Sequence, residues 1–314
     1  MMVRLRRLGH QVVRLNLVNL LRTQGTLLGA ISLSESNAMF TLEGETHTLS
    51  SFDVIWSRRF RHNFIINQLD HRLFKDLPPE VLPFLYKELE HMIEHLFTII
   101  RSLGIRTIND YTDETINKLT QITRAKEAGL NAPEFRVVNT REGMKEALAT
   151  WGSAITKPIF GLGYLHDQDK VYSTYTQYLE QDSLGQFPQR FFPSLIQQKV
   201  NVVSELKCLI VGDQLLAVEQ LPDKEARGKD IKEAFRERKV ILQPYTLPEE
   251  WVDKLLSLAK SFRVDLCSID VLVTEEGEHY FLELNQDGIV AYYAQFHDQN
   301  LLDLLETYIL HGKN

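Results

Sequence analysis

The chain has 314 residues, of which 44% are apolar and 25% charged, and it carries a net charge of −7. That length predicts two or three lobes rather than one small core, with the composition of a soluble globular protein. The acidic balance excludes an overall basic field for nucleic acid or an anionic membrane, and no apolar run reaches transmembrane length.

The N-terminus is basic but lacks the apolar core of a signal peptide. Apolar patterning predicts a helix that closes at Gly9 and a strand over residues 10–17. An α/β layer normally opens with a strand, so a first strand is expected upstream. A hairpin around residues 43–45 precedes a strand over 52–57 that runs into Arg58, Arg59 and Arg61. Basic residues at the carboxyl end of a strand suit a ligand site of an open α/β sheet, and they suit a solvated turn as well. The longest helical pattern covers residues 77–103, with Pro78 and Pro79 at its start and Gly104 past its end. His91 and His95 on it read as surface residues, because no third ligand accompanies them.

A strand over 106–109 leads to a helix over 112–128 that carries Lys118. A strand from residue 133 to 138, a helix over 141–150 and a strand over 153–157 ending in Lys157 follow. Gly161 and Gly163 come next, small residues that let backbone N–H groups approach an anion. The lysine precedes the glycines, so this is neither a P-loop nor a Rossmann fingerprint. A helical piece is expected near residues 175–181, and an apolar run then ends in Gln197-Gln198-Lys199-Val200. Strands over 205–211 and 214–220 join through Gly212-Asp213 as a tight hairpin. The densely charged residues 223–239 read either as a surface loop or as a lid on a substrate. Thr246 and Glu249 have capping-box spacing and open a helix with Trp251, Leu255, Leu258, Ala259 and Phe262 on one face. Cys208 and Cys267 each lie in an apolar strand-like run and read as small buried hydrophobes, which suits a reducing cytoplasm.

Residues 265–288 carry the strongest chemical pattern. Two apolar, strand-forming runs flank Glu275-Glu276-Gly277-Glu278, which predicts a hairpin. A turn between Glu276 and Gly277 sets Asp270 opposite Glu283. Simple alternation then puts Glu283 and Asn285 on one face and Leu282 and Leu284 on the other. Opposed carboxylates repel unless positive charge lies between them. Oxygen-only ligands suit a hard cation such as Mg²⁺, with a solvated acidic pair as the plainer alternative. A last helix is expected over 298–310.

Lys118 on a helix, Lys157 before a glycine turn, the Gln198-Lys199-Val200 strand end, Glu205-Leu206-Lys207, Asp270 and Glu283-Leu284-Asn285 together resemble the ATP-grasp ligases. The resemblance implies an α/β chain with α+β lobes. These are a pre-ATP-grasp domain over 1–105, a central lobe over 106–198 and a C-terminal lobe over 199–314, with ATP held between the last two. It implies that Lys118 and Lys157 contact ATP phosphates and that Gly161 and Gly163 lie in the loop over them. It further implies that Gln198, Lys199 and Val200 meet adenine partly through backbone groups, that Glu205 belongs to the nucleotide site, and that Asp270, Glu283 and Asn285 hold Mg²⁺.

Within that superfamily, Arg14-Leu15-Asn16, the stretch Val54-Ile55-Trp56-Ser57-Arg58-Arg59, Asn109 and the turn from Gly129 to Pro133 look like the microviridin-type peptide ligases that make graspetides. The implied reaction activates Asp or Glu side chains of a ribosomal precursor peptide as acyl-phosphates, which a hydroxyl or amine of the same peptide captures as an ester or amide. The implied catalytic residues are Lys207, Arg58 and Arg59, the arginines either positioning the carboxylate or serving the fold. The family's Glu-Leu-Arg is here Glu205-Leu206-Lys207, a point charge in place of a bidentate guanidinium. The implied partner is a precursor peptide, leader plus core, with no nucleic acid or membrane, and a homodimer is left open. Two alternatives stand beside this reading. One is a ligase that adds an amino acid to a peptide or small carboxylate, and the other a non-catalytic nucleotide-binding protein.

Overall fold

A computed structural model of the chain describes residues 1–16, 30–42, 44–58, 78, 80–109, 117–159, 164–167, 170–173, 176–223, 239–286, 293, 296 and 301–312. The chain divides into two compact units, one of residues 1–112, 263–266 and 301–314, the other of residues 113–262 and 267–300. No helix among the described residues is long and apolar enough to cross a membrane.

The first unit opens with helix α1 (Met2–Arg7), and Gly9 leaves it at a φ of +89°. Residues 10–16 form no strand; Val13 and Leu15 instead pack into the apolar cluster, so the alternation reports burial without a ladder partner. Strands β1 (Ala30–Leu33), β2 (Ala38–Leu42) and β3 (Glu45–Thr48) make an antiparallel sheet, with the expected hairpin between β2 and β3. Strand β4 (Val54–Trp56) pairs in parallel with β5 (Arg106–Ile108), and helix α2 (Val81–Ser102) connects them in sequence. Ile93, Leu96, Phe97 and Ile100 recur at helical spacing on α2 and bury against Ala38, Phe40 and Leu49. Burial of each large side chain contributes about 1.5–3 kcal/mol. Arg4 pairs with Asp303 and Glu306 of the last helix (Leu301–His311), and Arg106 donates to the carbonyls of Tyr308 and Ile309 at its end. Asn109 leaves β5 at a φ of +60°, and its side chain accepts from Asp265 N at 3.0 Å and Leu266 N at 2.8 Å. Asparagine tolerates the left-handed region, so this corner needs no glycine.

The second unit opens with helix α3 (Lys118–Glu127), capped by Asn117, whose side chain accepts from Leu119 N and Thr120 N. The expected start at Thr112 lies outside the described residues, and the Asn117 cap starts the helix at Lys118. A four-stranded antiparallel sheet follows from β6 (Phe135–Thr140), β7 (Ala154–Lys157), β10 (Gln177–Leu179) and β11 (Arg190–Gln198), in the order β10-β7-β11-β6. Between β7 and β10, β8 (Tyr164–Asp167) and β9 (Lys170–Ser173) pair as a hairpin. Residues 177–179 form a strand where a helical piece is expected, because Leu179 pairs with Ala154 and turns into the core. Helix α4 (Arg141–Trp151) packs Met144, Ala147 and Leu148 on Ala154, Leu179 and Ile196, which marks one face of this sheet as its core side.

The five-stranded sheet has the order β14-β13-β12-β15-β16. Its strands are β12 (Ser204–Val211), β13 (Gln214–Pro222), β14 (Val240–Tyr245), β15 (Leu266–Val273) and β16 (His279–Asn285). The hairpin between β12 and β13 turns at Gly212, which has a φ of +59°. The charged loop lies outside the described residues over 224–238. Helix α5 (Glu249–Ser261) begins after Pro248 with no side-chain cap, so Thr246 does not form the expected capping box. Leu255, Leu258 and Ala259 of α5 and the following Phe262 are buried, as are Leu206, Cys208, Ile269, Val271 and Phe281.

His279 is buried among Trp251, at a ring separation of 5.3 Å, and Tyr245, whose hydroxyl lies 3.0 Å from Nε2. Burial holds its pKa below the ordinary histidine value. The folded state therefore resists protonation there. The stability this contributes is fully present above the unfolded histidine pKa of about 6.5 and is lost as pH falls through the lower folded value. Urea midpoints measured from about pH 8 down to about pH 5 should decline, and His279→Gln should remove part of that slope; an unchanged slope clears His279 of the effect.

Candidate functional site

The candidate residues of the second unit lie on two sheet faces. In the five-stranded sheet, β15 and β16 are antiparallel, and Asp270 pairs with Glu283 and Ser268 with Asn285. This is the register expected from the turn, with one correction. Val271 pairs with Phe281, so Leu282 is an extra residue and β16 carries a bulge between Phe281 and Glu283. The bulge resets the alternation. Phe281 and Leu284, three apart, are both buried, and Leu282 does not share the face of Leu284.

The other face is polar. Asn285 Nδ2 lies 3.4 Å from Asp270 Oδ2 and 3.4 Å from Glu283 Oε1. Asp270 is 3% exposed, so its charge needs a partner, and Lys207 on β12 supplies one through its ammonium group. Glu283 is paired from the other side by Lys118 Nζ at 3.2 Å. Glu205, two residues before Lys207, is also buried. Burial works against the Lys207 charge, but Asp270 and then Glu205 outweigh it and hold the pKa above the ordinary lysine value. The lysine is cationic at any physiological pH. Tyr293 lies near Lys207, with its ring centroid 5.7 Å from Nζ, and donates to Gln220 Oε1 at 3.2 Å.

Among the described residues, no group of three or more His, Cys, Asp and Glu side chains gathers for a metal. The set here is two carboxylates and one amide, all oxygen donors once the Asn285 amide turns its Oδ1 toward them, and its chemistry fits a hard cation. The two thiols of the sheet, Cys208 and Cys267, form no disulfide and are buried, and burial pushes the Cys208 thiol up.

Gln121 is a residue that sequence reasoning missed. It sits one turn after Lys118 on α3, is buried, and clasps the backbone of Leu284, accepting from its N–H at 2.9 Å and donating to its carbonyl at 3.1 Å. Strand β16 is at the sheet edge, where backbone groups lack a ladder partner. Gln121 satisfies those of Leu284, and Asn131 O accepts from Phe281 N at 2.7 Å. One helix thus brings Lys118 to Glu283 and fixes the strand between Glu283 and Asn285. An uncharged amide in a helix gives no sequence signal beyond its i,i+3 spacing from Lys118.

In the four-stranded sheet, Lys157 ends β7 opposite Leu195. Gln198 ends β11; its N–H donates to Glu134 O at 2.8 Å, and its Oε1 accepts from Glu134 N at 3.2 Å. Lys199 N donates to Ser153 O at 3.3 Å, its ammonium lies 4.8 Å from the Tyr178 ring centroid, and Val200 follows it. Gly161 and Gly163 lie outside the described residues, as does Arg59. Arg58 is exposed just past β4 in the first unit. The indole N–H of Trp56, two residues earlier, is buried without a partner among the described residues.

Removing one member of the Lys207–Asp270 pair leaves the other charge buried. Lys207→Met and Asp270→Asn should each lower unfolding stability, with Lys207→Met costing about 3–5 kcal/mol. The double variant should cost clearly less than the sum of the two, as read by urea unfolding. Strict additivity would show that the pair is not coupled.

No family model matches the chain, and no curated protein matches it in sequence. Solved structures do match it. The RiPP-associated ATP-grasp ligase of Chryseobacterium gregarium, in complex with ADP and a leader and core peptide, superposes with a TM-score of 0.79 at 18% identity, over 99% of this chain and 91% of that one. The macrocyclase MdnC of Microcystis aeruginosa MRC, bound with precursor peptide MdnA, gives 0.78 at 19% identity over 98% of this chain and 94% of its own. The ATP-grasp ligase PsnB, complexed with a phosphomimetic variant of its minimal precursor, Mg and ADP, gives 0.67 at 16% identity over 91% and 87%. The chain has the ATP-grasp fold.

Proposed function

We propose that the chain is an ATP-dependent, ADP-forming ligase that cross-links a ribosomal precursor peptide. The observation that carries this reading is the convergence of Lys118 and Lys207 on the Asp270, Glu283 and Asn285 face. It occurs within a fold whose solved counterparts hold ADP, Mg and leader or core peptides. The central lobe is residues 106–198 and the C-terminal lobe begins at 199, with the nucleotide between them. The enzyme works in the cytoplasm, in keeping with buried cysteines that form no disulfide.

A carboxylate is a poor electrophile, because its leaving group would be an oxide. In the proposed reaction a carboxylate oxygen of the peptide attacks the γ-phosphorus of ATP, and ADP leaves. A hydroxyl or neutral amine of the same peptide then attacks the acyl carbon, the acyl carbon–phosphate oxygen bond breaks, and the nucleophile's proton ends on the departing inorganic phosphate. Lys118 and Lys157 neutralise the transferring phosphates, and Lys207 adds fixed charge where the acyl-phosphate forms. Asp270, Glu283 and Asn285 would hold Mg²⁺, which neutralises charge on the β- and γ-phosphates when bound. Gly161 and Gly163 cover the phosphates, while Gln198, Lys199, Val200 and Glu205 line the nucleoside end. Arg58 and Arg59 position the carboxylate to be activated.

Incubation with a candidate precursor peptide, ATP and Mg²⁺, followed by mass spectrometry, should show the loss of one water per cross-link. Gain of an amino-acid residue mass would instead identify an amino-acid-adding ligase, and nucleotide binding without ADP release a regulatory protein. Asp270→Asn with Glu283→Gln should abolish product. Survival of ATP-dependent product with its metal dependence intact removes the hairpin as the metal site.

A further inference from the structure

Lys207 faces two acids, Asp270 through an ion pair and Glu205 two residues back on the same strand. Its side chain is 14% exposed, so water does little to orient it. A lysine carries its charge on one compact ammonium, whereas an arginine reaches a carboxylate and a phosphate through separate N–H groups of a planar fork. Asp270 is also a member of the proposed Mg²⁺ set, and a cation held there competes with the ammonium for the same carboxylate. A contact that orients Lys207 without taking up that carboxylate comes from an uncharged group.

Tyr293 makes such a contact. Its ring centroid lies 5.7 Å from Lys207 Nζ, within the range at which an aromatic face attracts an ammonium. The ring is tied at its far end, where the hydroxyl donates to Gln220 Oε1 at 3.2 Å. Gln220 is 4% exposed and pairs with Glu205 across β12 and β13, while Lys207 pairs with Val218. Paired residues of an antiparallel ladder share a face, so the amide that ties the ring and the ammonium under it stand on one side of one hairpin.

We infer that Tyr293 is a positioning residue for Lys207: its ring, tied by Gln220, aims the ammonium at the phosphate of the acyl-phosphate. The inference rests on the ligase reading, in which Lys207 meets that group. The ring face attracts the ammonium and leaves the oxygens of Asp270 for the metal. A guanidinium at this place would be oriented by its own fork, so the tyrosine matters because the residue is lysine.

The test is calorimetric titration of the full chain, saturated with Mg²⁺ and ADP, with acetonylphosphonate, a stable analogue of an acyl-phosphate. The wild type should bind it, and Tyr293→Leu should weaken that binding about tenfold with the affinity for ADP unchanged. Tyr293→Phe keeps the ring and should weaken it about threefold, the share of the lost hydroxyl bond. In a Lys207→Arg background Tyr293→Leu should cost little, which a role in packing alone would not reproduce. Equal losses in the lysine and arginine backgrounds, or no loss in the lysine background, overturn the inference. A wild type that binds ADP but not acetonylphosphonate overturns it too, while the ligase reading still stands or falls on product formation. If the wild type binds no ADP, the ligase reading falls and the inference with it. Should the leucine or arginine variant not fold, Tyr293→Phe and Gln220→Met decide: combined, they should weaken the analogue no more than either alone, and additive losses overturn the inference.

Discussion

Asp270 and Glu283 face each other across an antiparallel strand pair, and two carboxylates in that position repel. The second unit is built around relieving that repulsion. Lys207 approaches Asp270 from the neighbouring strand, and Lys118 approaches Glu283 from a helix outside the sheet. Asn285 stands between them as a neutral third donor. The result is a site in which every charge is answered by groups from three different elements. A shift of β12 alone would take Lys207 from the buried Asp270 charge.

The sheet that carries this site divides its labour between faces. One side is sealed by α5 with Leu255, Leu258 and Phe262, and the other holds Glu205, Lys207, Asp270, Glu283 and Asn285. The apolar side contributes the burial that keeps the strands in register, and the register is what places the carboxylates. Gln121 extends the same logic to the edge strand, where it does the work of a missing ladder partner.

Much of this was legible before any coordinates, for reasons that can be located. The hairpin and its opposed carboxylates follow from the turn-forming break between two apolar runs, although the pairing of Asp270 with Glu283 is reached through the Leu282 bulge and not by plain alternation. Other features lacked a local signal. The start of α3 is set by the Asn117 cap rather than by the helical run upstream, and Pro248 displaces the helix start that Thr246 and Glu249 suggest. The strand over Gln177–Leu179 exists because Leu179 meets a buried partner, Ala154, from a distant segment. Gln121 is a neutral amide, and its role comes from the backbone it meets, which no local pattern encodes. The gathering of the last helix and residues 263–266 with the N-terminal segment likewise depends on contacts far apart in sequence.

The Leu282 bulge separates β16 into two halves with different duties. Toward the turn, His279 and Phe281 keep step with Val273 and Val271; toward the site, Glu283 and Asn285 keep step with Asp270 and Ser268. The extra residue acts as a phase shifter between them, so the packing half and the ligand half obey separate counting rules while sharing one backbone. Without that extra place, the count that begins with Val273 and His279 would set a leucine, and not Glu283, opposite Asp270.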